Sequence, residues 1–171
     1  VALPIPEKGV YTLILHVPKE TSLRIGKLGV QRFRGGYYAY TGSALGKGAS
    51  SLKGRISRHL SSNKTSFWHI DYLLIQKNVA ITYVITVQTE KNLECEVNER
   101  IKKIGKVLNP NFGSTDCSQN CGSHLLYLGK KTKEKEILEI YKRIGQPNQM
   151  SVNPRSLMTK PIKHANGSFK A

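Results

Sequence analysis

Negative charge is scarce in this chain. Its 171 residues hold 11 Asp and Glu against 27 Lys and Arg, a formal net charge of +16. Between residues 21 and 70 there is no acid, while nine cations fall there: Arg24, Lys27, Arg32, Arg34, Lys47, Lys53, Arg55, Arg58 and Lys64. This imbalance points to a polyanion partner, because each phosphate contact releases condensed counterions. An anionic membrane surface, or lysines kept for solubility, are the weaker readings, since no amphipathic membrane helix is evident. Long apolar runs are missing too. None approaches the about 20 residues that span a bilayer. The opening Val1-Ala2-Leu3-Pro4-Ile5-Pro6 lacks the charged segment of a signal peptide. Cysteine is limited to Cys95, Cys117 and Cys121, too few and too odd a number for a disulfide scaffold. These absences predict a cytoplasmic protein in a reducing compartment. No internal repeat is present. The hydrophobic fraction of 39% suits a soluble globular chain with one core and a tail.

Periodicity supplies the elements. Residues 9–17 alternate, with Tyr11, Leu13, Leu15 and Val17 on one face and Thr12, Ile14 and His16 on the other, so they read as a strand. Short strands are expected at Leu23–Ile25 and Gln31–Arg34, and a longer one at Tyr37–Thr41 carrying Tyr38 and Tyr40 on one face. Leu52, Ile56 and Leu60 form one stripe of a helix over 51–61. Helices are also expected at 67–76, 92–105 and 132–144, and strands at 79–87 and 125–128. Residues 109–123 read as a loop. From Gly145 the composition turns to Asn, Gln, Pro, Ser and Met without acids. We divide the chain into a domain over 1–145 and a basic, poorly ordered tail over 146–171. The tail either holds nucleic acid loosely or has no role. The fold class is α/β (α+β), a small antiparallel-rich mixed sheet flanked by helices.

Hydrolysis of a phosphodiester needs an activated water, neutralised phosphoryl oxygens and help for the leaving oxygen. Four of the eleven acids, Glu90, Glu94, Glu96 and Glu99, lie within ten residues. At ~100° per residue, Glu94 flanks the stripe of Leu93, Val97, Ile101 and Ile104. Glu96 lies further out and Glu99 points away. Glu94 is therefore the first candidate ligand for a divalent cation and Glu96 the second; solvated acids near a helix start are the competing reading. Arg55 and His59 share a stripe beside the apolar face. Arg55 suits a transition-state clamp, and Arg58, pointing outward, suits a backbone phosphate. For His59 a catalytic role and packing weigh equally. Lys47, Lys53, Arg32, Arg34 and His69 complete the expected DNA-binding set; for His69 the competing reading is a core-edge histidine with a satisfied partner. Cys117-x3-Cys121-x2-His124 holds ligand types suited to zinc, with Cys95 as a fourth. The spacing is not a strong signature, and a disulfide or buried thiols packing the loop weigh more.

Gly9-Val10-Tyr11 opens the first strand, and Tyr40-Thr41-Gly42 precedes the glycine-bearing segment to Gly48 and then Arg55-Ile56-Ser57-Arg58-His59. This order resembles the GIY-YIG nuclease superfamily. More narrowly, the IGKLG, GGYYAYTGSA, RISRH, FWHIDYLL, LECEV and STDC…CGSHLLY blocks resemble an uncharacterised prokaryotic GIY-YIG-related family, found alone or fused to endonuclease III-type DNA glycosylases. The resemblance implies a metal-dependent DNA endonuclease. It puts Tyr11 near the attacking water as base, Tyr40 in support, Arg55 on the phosphoryl group, Glu94 on magnesium or manganese, and His59 as an accessory group. It implies cleavage leaving a 5′-phosphate and a 3′-hydroxyl, in repair of damaged (for example abasic) or branched DNA, with a glycosylase or other repair protein as partner. Two departures stand out. Twenty-eight residues separate Tyr11 from Tyr40, so an extra hairpin is expected, and Ser43 replaces a frequent lysine. The alternatives are a nucleic-acid-binding module with a weak or inactive site, and a zinc-stabilised structural or RNA-binding protein.

Overall fold

The first tyrosine strand lies at the centre of the molecule. In the computed structural model, which describes residues 5–153, β1 (Gly9–Val17) has β2 (Thr21–Arg24) and β3 (Val30–Phe33) after it in the chain. Its neighbours in the sheet are β4 (Gly36–Ala44) and β5 (Ala80–Gln88). β6 (Leu125–Gly129) pairs with β4, and β7 (Pro147–Ser151) pairs with β5. The order is β6-β4-β1-β5-β7, with every pairing antiparallel. The α+β class is as expected, although the sheet has no parallel pair among the described residues.

Central placement changes what the alternation in β1 means. Tyr11, Leu13, Leu15 and Val17 enter one core, with Leu52 and Ile56 of α1 (Leu52–Leu60) and Ile70 and Leu73 of α2 (His69–Leu74). Val10 and Ile14 enter a second core, with Val97 and Ile101 of α3 (Glu94–Ile101) and Ile137 and Tyr141 of α4 (Glu134–Lys142). The sheet is therefore sandwiched between two helix layers, and a two-sided strand can carry apolar residues at both parities. On the second face Thr12 is fully buried. Its hydroxyl bonds to Thr41 at 2.9 Å and to Tyr141 at 2.7 Å, so burial leaves it satisfied.

The long insertion between the tyrosines forms the expected hairpin, β2 against β3. Its Ile25 and Phe33 are fully buried in the first core. Phe33 meets Phe112 edge-on at 6.0 Å, and Phe112 meets Tyr40 at 6.3 Å. The hairpin thus braces the second tyrosine through one intervening ring.

Several element ends differ from the sequence expectation, each for a local reason. α2 begins at His69 because the Asp71 carboxylate accepts from the Phe67 and Trp68 N–H groups at 3.0 and 2.9 Å. Those two residues form its cap rather than its first turn. α3 ends at Ile101, where Ile104 N–H bonds to Ile101 O and closes a tighter turn, as helix ends often do. Gly42–Ala44 continue β4 rather than opening the loop. The expected boundary at 145 also moves, because Pro147–Ser151 pairs with β5 as an edge strand. Its sequence has little β propensity, and pairing to an available edge overrides that. The rest of the expected tail, from residue 154, lies outside the described residues.

Candidate functional site

Register explains the two tyrosine motifs. Tyr11 lies directly across from Gly42. A Cβ at Gly42 would overlap the Tyr11 hydroxyl, and a Cβ at Gly9 would overlap the Val87 carbonyl. The glycines of the motifs are therefore clearances: one lets the Tyr11 ring lie flat over β4, the other lets β1 pack against β5. We expect Gly42→Ala to cost about 1–3 kcal/mol through forced overpacking. Urea denaturation would measure it, and a variant as stable as the native chain would refute this role.

The Tyr11 hydroxyl is 2.8 Å from His59 Nε2. Both residues are about 2% exposed. α1 delivers His59 because Ser51 caps the helix, its hydroxyl accepting from Gly54 N–H at 3.0 Å, which sets the phase that turns Ile56 and His59 inward. Burial, with help from Lys64, pushes the His59 imidazole down to about 3. It is thus neutral at ordinary pH. Burial pushes the Tyr11 hydroxyl above its usual range while the Arg55 guanidinium pulls it back. Tyr40 rises for the same cause, with Tyr11 and Glu94 adding to it. Arg55 sits over the Trp68 ring, 5.3 Å from its centroid, and its buried Nε has no hydrogen-bond partner. Tyr11, Tyr40, Arg55 and His59 are therefore brought together on one face of the sheet.

Glu94, on the opposite helix layer, lies close enough for its charge to act on Tyr11 and Tyr40. The pairing of β4 with β6 stops at Tyr40 opposite Leu125. Beyond it, Thr41 N–H donates to His124 O at 3.1 Å, seating His124 beside the open end of β4. Glu94 Oε1 lies 2.5 Å from His124 Nδ1. The contact is short but is not aligned as a hydrogen bond. Burial lowers the His124 proton affinity, and Glu94 outweighs it, leaving the imidazole above its ordinary value. Glu94 keeps 23% side-chain exposure, and its charge is felt by both Tyr11 and Tyr40. Glu96 is elsewhere, paired to Arg100 at 2.9 Å on the exposed face of α3.

The remaining expected residues scatter. Arg58 does not point freely outward. Its Nη2 bonds to the fully buried Asp71 carboxylate at 2.7 Å and to Thr65 O at 3.1 Å, because a buried carboxylate demands a cation. Backbone bonds and Arg58 hold Asp71 below its ordinary value against the upward push of burial. His69 Nδ1 accepts from Gly113 N–H at 2.9 Å and ties down the loop. Lys47 and Lys53 are exposed near the start of α1. Arg32 is exposed but pairs with Glu20 at 2.8 Å, and Arg34 is exposed beside Tyr127. Sequence reasoning missed a recess of about 660 Å³ whose lining includes Arg34, Lys103, Lys106 and Lys133 beside Glu136 and apolar residues. Its signal was present in the lysines around 102–106 and 130–133, on segments far apart in sequence.

The cysteine loop closes over α3. Cys95 and Cys121 form a disulfide, and Cys117 Sγ lies 3.1 Å from Cys95 Sγ. Burial raises the Cys117 thiol, but N–H groups of Cys121 and Gln119 and the His124 ring outweigh that and hold it below its ordinary value.

A family model described as "Domain of unknown function DUF123" matches residues 10–146. No curated protein and no solved structure matches this chain. Among the described residues no helix is long and apolar enough to cross a membrane.

Proposed function

The chain belongs to the DUF123 family, and we propose that it is a metal-dependent DNA endonuclease of the GIY-YIG type. The observation that carries this reading is the convergence of Tyr11, Tyr40, Arg55, His59 and Glu94 from four elements, centred on the 2.8 Å Tyr11–His59 contact. Burial perturbs Tyr11, Tyr40 and His59 together, and such groups gather at functional sites.

Glu94 fits a hard divalent cation. One oxygen touches His124, the other remains available, and magnesium is commonly held by one or two carboxylates plus water and substrate phosphate. Asp71, the other nearby acid, is taken up by Arg58 and two N–H groups. When bound, magnesium or manganese would supply positive charge to the phosphoryl and leaving oxygens. The protein groups divide the rest of the work. Neutral His59 accepts the Tyr11 proton at Nε2 as Tyr11 takes a proton from the attacking water. Negative charge arriving with the diester raises the proton affinity of His59 for that moment. Arg55 neutralises the non-bridging oxygens. The water oxygen bonds to phosphorus, the bond from phosphorus to the 3′ oxygen breaks, and that oxygen takes a proton from solvent. The products are a 5′-phosphate and a 3′-hydroxyl.

The +16 charge, exposed Lys47 and Lys53, and the lysine-lined recess support DNA as the polyanion. Repair of damaged or branched DNA in the cytoplasm, with a glycosylase as partner, completes the proposal. Tyr11 and Tyr40 are only 2% and 9% exposed. That burial favours the second reading, a nucleic-acid-binding module that does not cut.

The test is a labelled panel of plain duplex, abasic duplex, single strand, flap and four-way junction, each with Mg²⁺, Mn²⁺ or EDTA. We expect metal-dependent cutting, and Tyr11→Phe to slow it by about 10²–10⁴-fold, the range for losing a proton-transfer group. Binding without cutting on every substrate would favour the binding module.

A further inference from the structure

The cysteine cluster is better furnished than a disulfide requires. A disulfide uses Cys95 and Cys121 alone. Yet Cys117 Sγ stands 3.1 Å from Cys95 Sγ, and His124 Nε2 stands 3.9 Å from it. The ligand atoms of Cys95, Cys117, Cys121 and His124 all lie within 4.8 Å of one another. Around tetrahedral zinc with bonds of about 2.0–2.3 Å, neighbouring ligand atoms sit about 3.5–3.8 Å apart, so this cluster is already near the size of a filled site. Cys95, Cys121 and His124 are buried, and Cys117 Sγ accepts from the N–H groups of Gln119 and Cys121, as metal-bound thiolates do. Asn120 and Gly122, both at positive φ (53° and 78°), turn the backbone so that Cys117 and Cys121 face α3 together.

We propose that in the reduced protein Cys95, Cys117, Cys121 and His124 bind one zinc ion, and that this ion positions Glu94 through His124. A dithiol reductant gives two electrons and two protons to the Cys95–Cys121 bond and becomes a disulfide itself. Zinc then replaces the protons of the three thiols. His124 has one nitrogen toward the sulfurs, and its Nδ1 is buried, unaligned with any partner, and 2.5 Å from Glu94. Zinc on Nε2 obliges Nδ1 to carry the hydrogen and donate it to the carboxylate, the carboxylate–histidine–zinc arrangement. A structural metal on one side of the ring thereby orients Glu94 on the other. That this matters for cleavage rests on the nuclease reading; the zinc site itself does not.

The full chain, reduced with a dithiol and loaded with zinc or with cobalt(II), tests this without any cleavage measurement. We expect one zinc per chain by elemental analysis, and a cobalt spectrum with strong thiolate charge-transfer bands and tetrahedral ligand-field bands. Cys117→Ser should lose stoichiometric zinc, and Glu94→Gln should weaken zinc affinity by about 10–100-fold. A reduced, folded native chain that binds neither metal would overturn the site, whatever the variants do. Unchanged zinc affinity in Glu94→Gln would overturn the link to Glu94. A chain that binds zinc yet never cuts DNA would sustain the site and sink the nuclease instead.

Discussion

Replacing Glu94 by Gln is expected to lower metal-dependent cleavage by about 10²–10³-fold, at least the scale for removing one preorganised polar contact from a hydrolytic site. DNA affinity and thermal stability should stay close to native in saturating zinc. The reason is geometric. Gln keeps an oxygen that can accept from His124, so the contact at the open end of β4 survives. What disappears is the negative charge, which among the described residues acts on Tyr11 and Tyr40 without the arginine partner that Asp71 has in Arg58. Single-turnover cleavage across a magnesium titration, beside a binding isotherm in saturating zinc with magnesium left out, separates the two effects. Equal cleavage by native and Gln chains would remove Glu94 from the mechanism. Lost affinity with unchanged cleavage of bound DNA would make it a binding residue.

Acid should unfold this protein through two named groups, and removing one of them should itself be costly. Asp71→Ala is expected to cost about 3 kcal/mol at neutral pH, read as a shift in the urea midpoint. It strips Arg58 of its partner and orphans the Phe67 and Trp68 N–H groups that begin α2. The folded Asp71 carboxyl lies below its usual 3.8. Its contribution is therefore complete above that value and is lost as pH falls through the lower folded value. His59 acts at higher pH. It is neutral when folded, down to about 3, whereas the unfolded imidazole takes up a proton below 6.5. The unfolded chain then binds more protons, so stability declines as pH drops from 6.5 toward about 3. Urea midpoints measured across that range should slope for the native chain and flatten in His59→Gln. A native chain whose midpoint does not move between pH 6.5 and about 4 would contradict the burial of a neutral His59.

The readable and unreadable parts divide along contact range. Arg55 and His59 could be grouped from sequence because helical phase is a local rule, whereas Tyr11 and Tyr40 joined them only through the motif resemblance, strand alternation by itself giving no more than inward positions. Glu94 could be ranked above Glu96 for the same reason: the helical wheel alone separates a core shoulder from a solvated face, and Glu96 is indeed spent on Arg100.

Arg58 was misplaced for the converse reason. Its phase is outward, but α2 lays an aspartate beside it that no local rule connects to it. His69 likewise looked available for nucleic acid until the loop brought Gly113 N–H to its ring.

By itself the sequence determined the basic charge, the class of the fold and the phase of each site-bearing helix. These follow from composition and from periods of two and 3.6 residues. The tertiary structure alone decided that β1 is central and buried on both faces, that Pro147–Ser151 closes the sheet edge, that Asp71 claims Arg58, and that His124 joins the cysteine cluster to Glu94. Each of those depends on segments distant in the chain meeting across the sheet, where desolvation decides which charge is paired and which is left for chemistry.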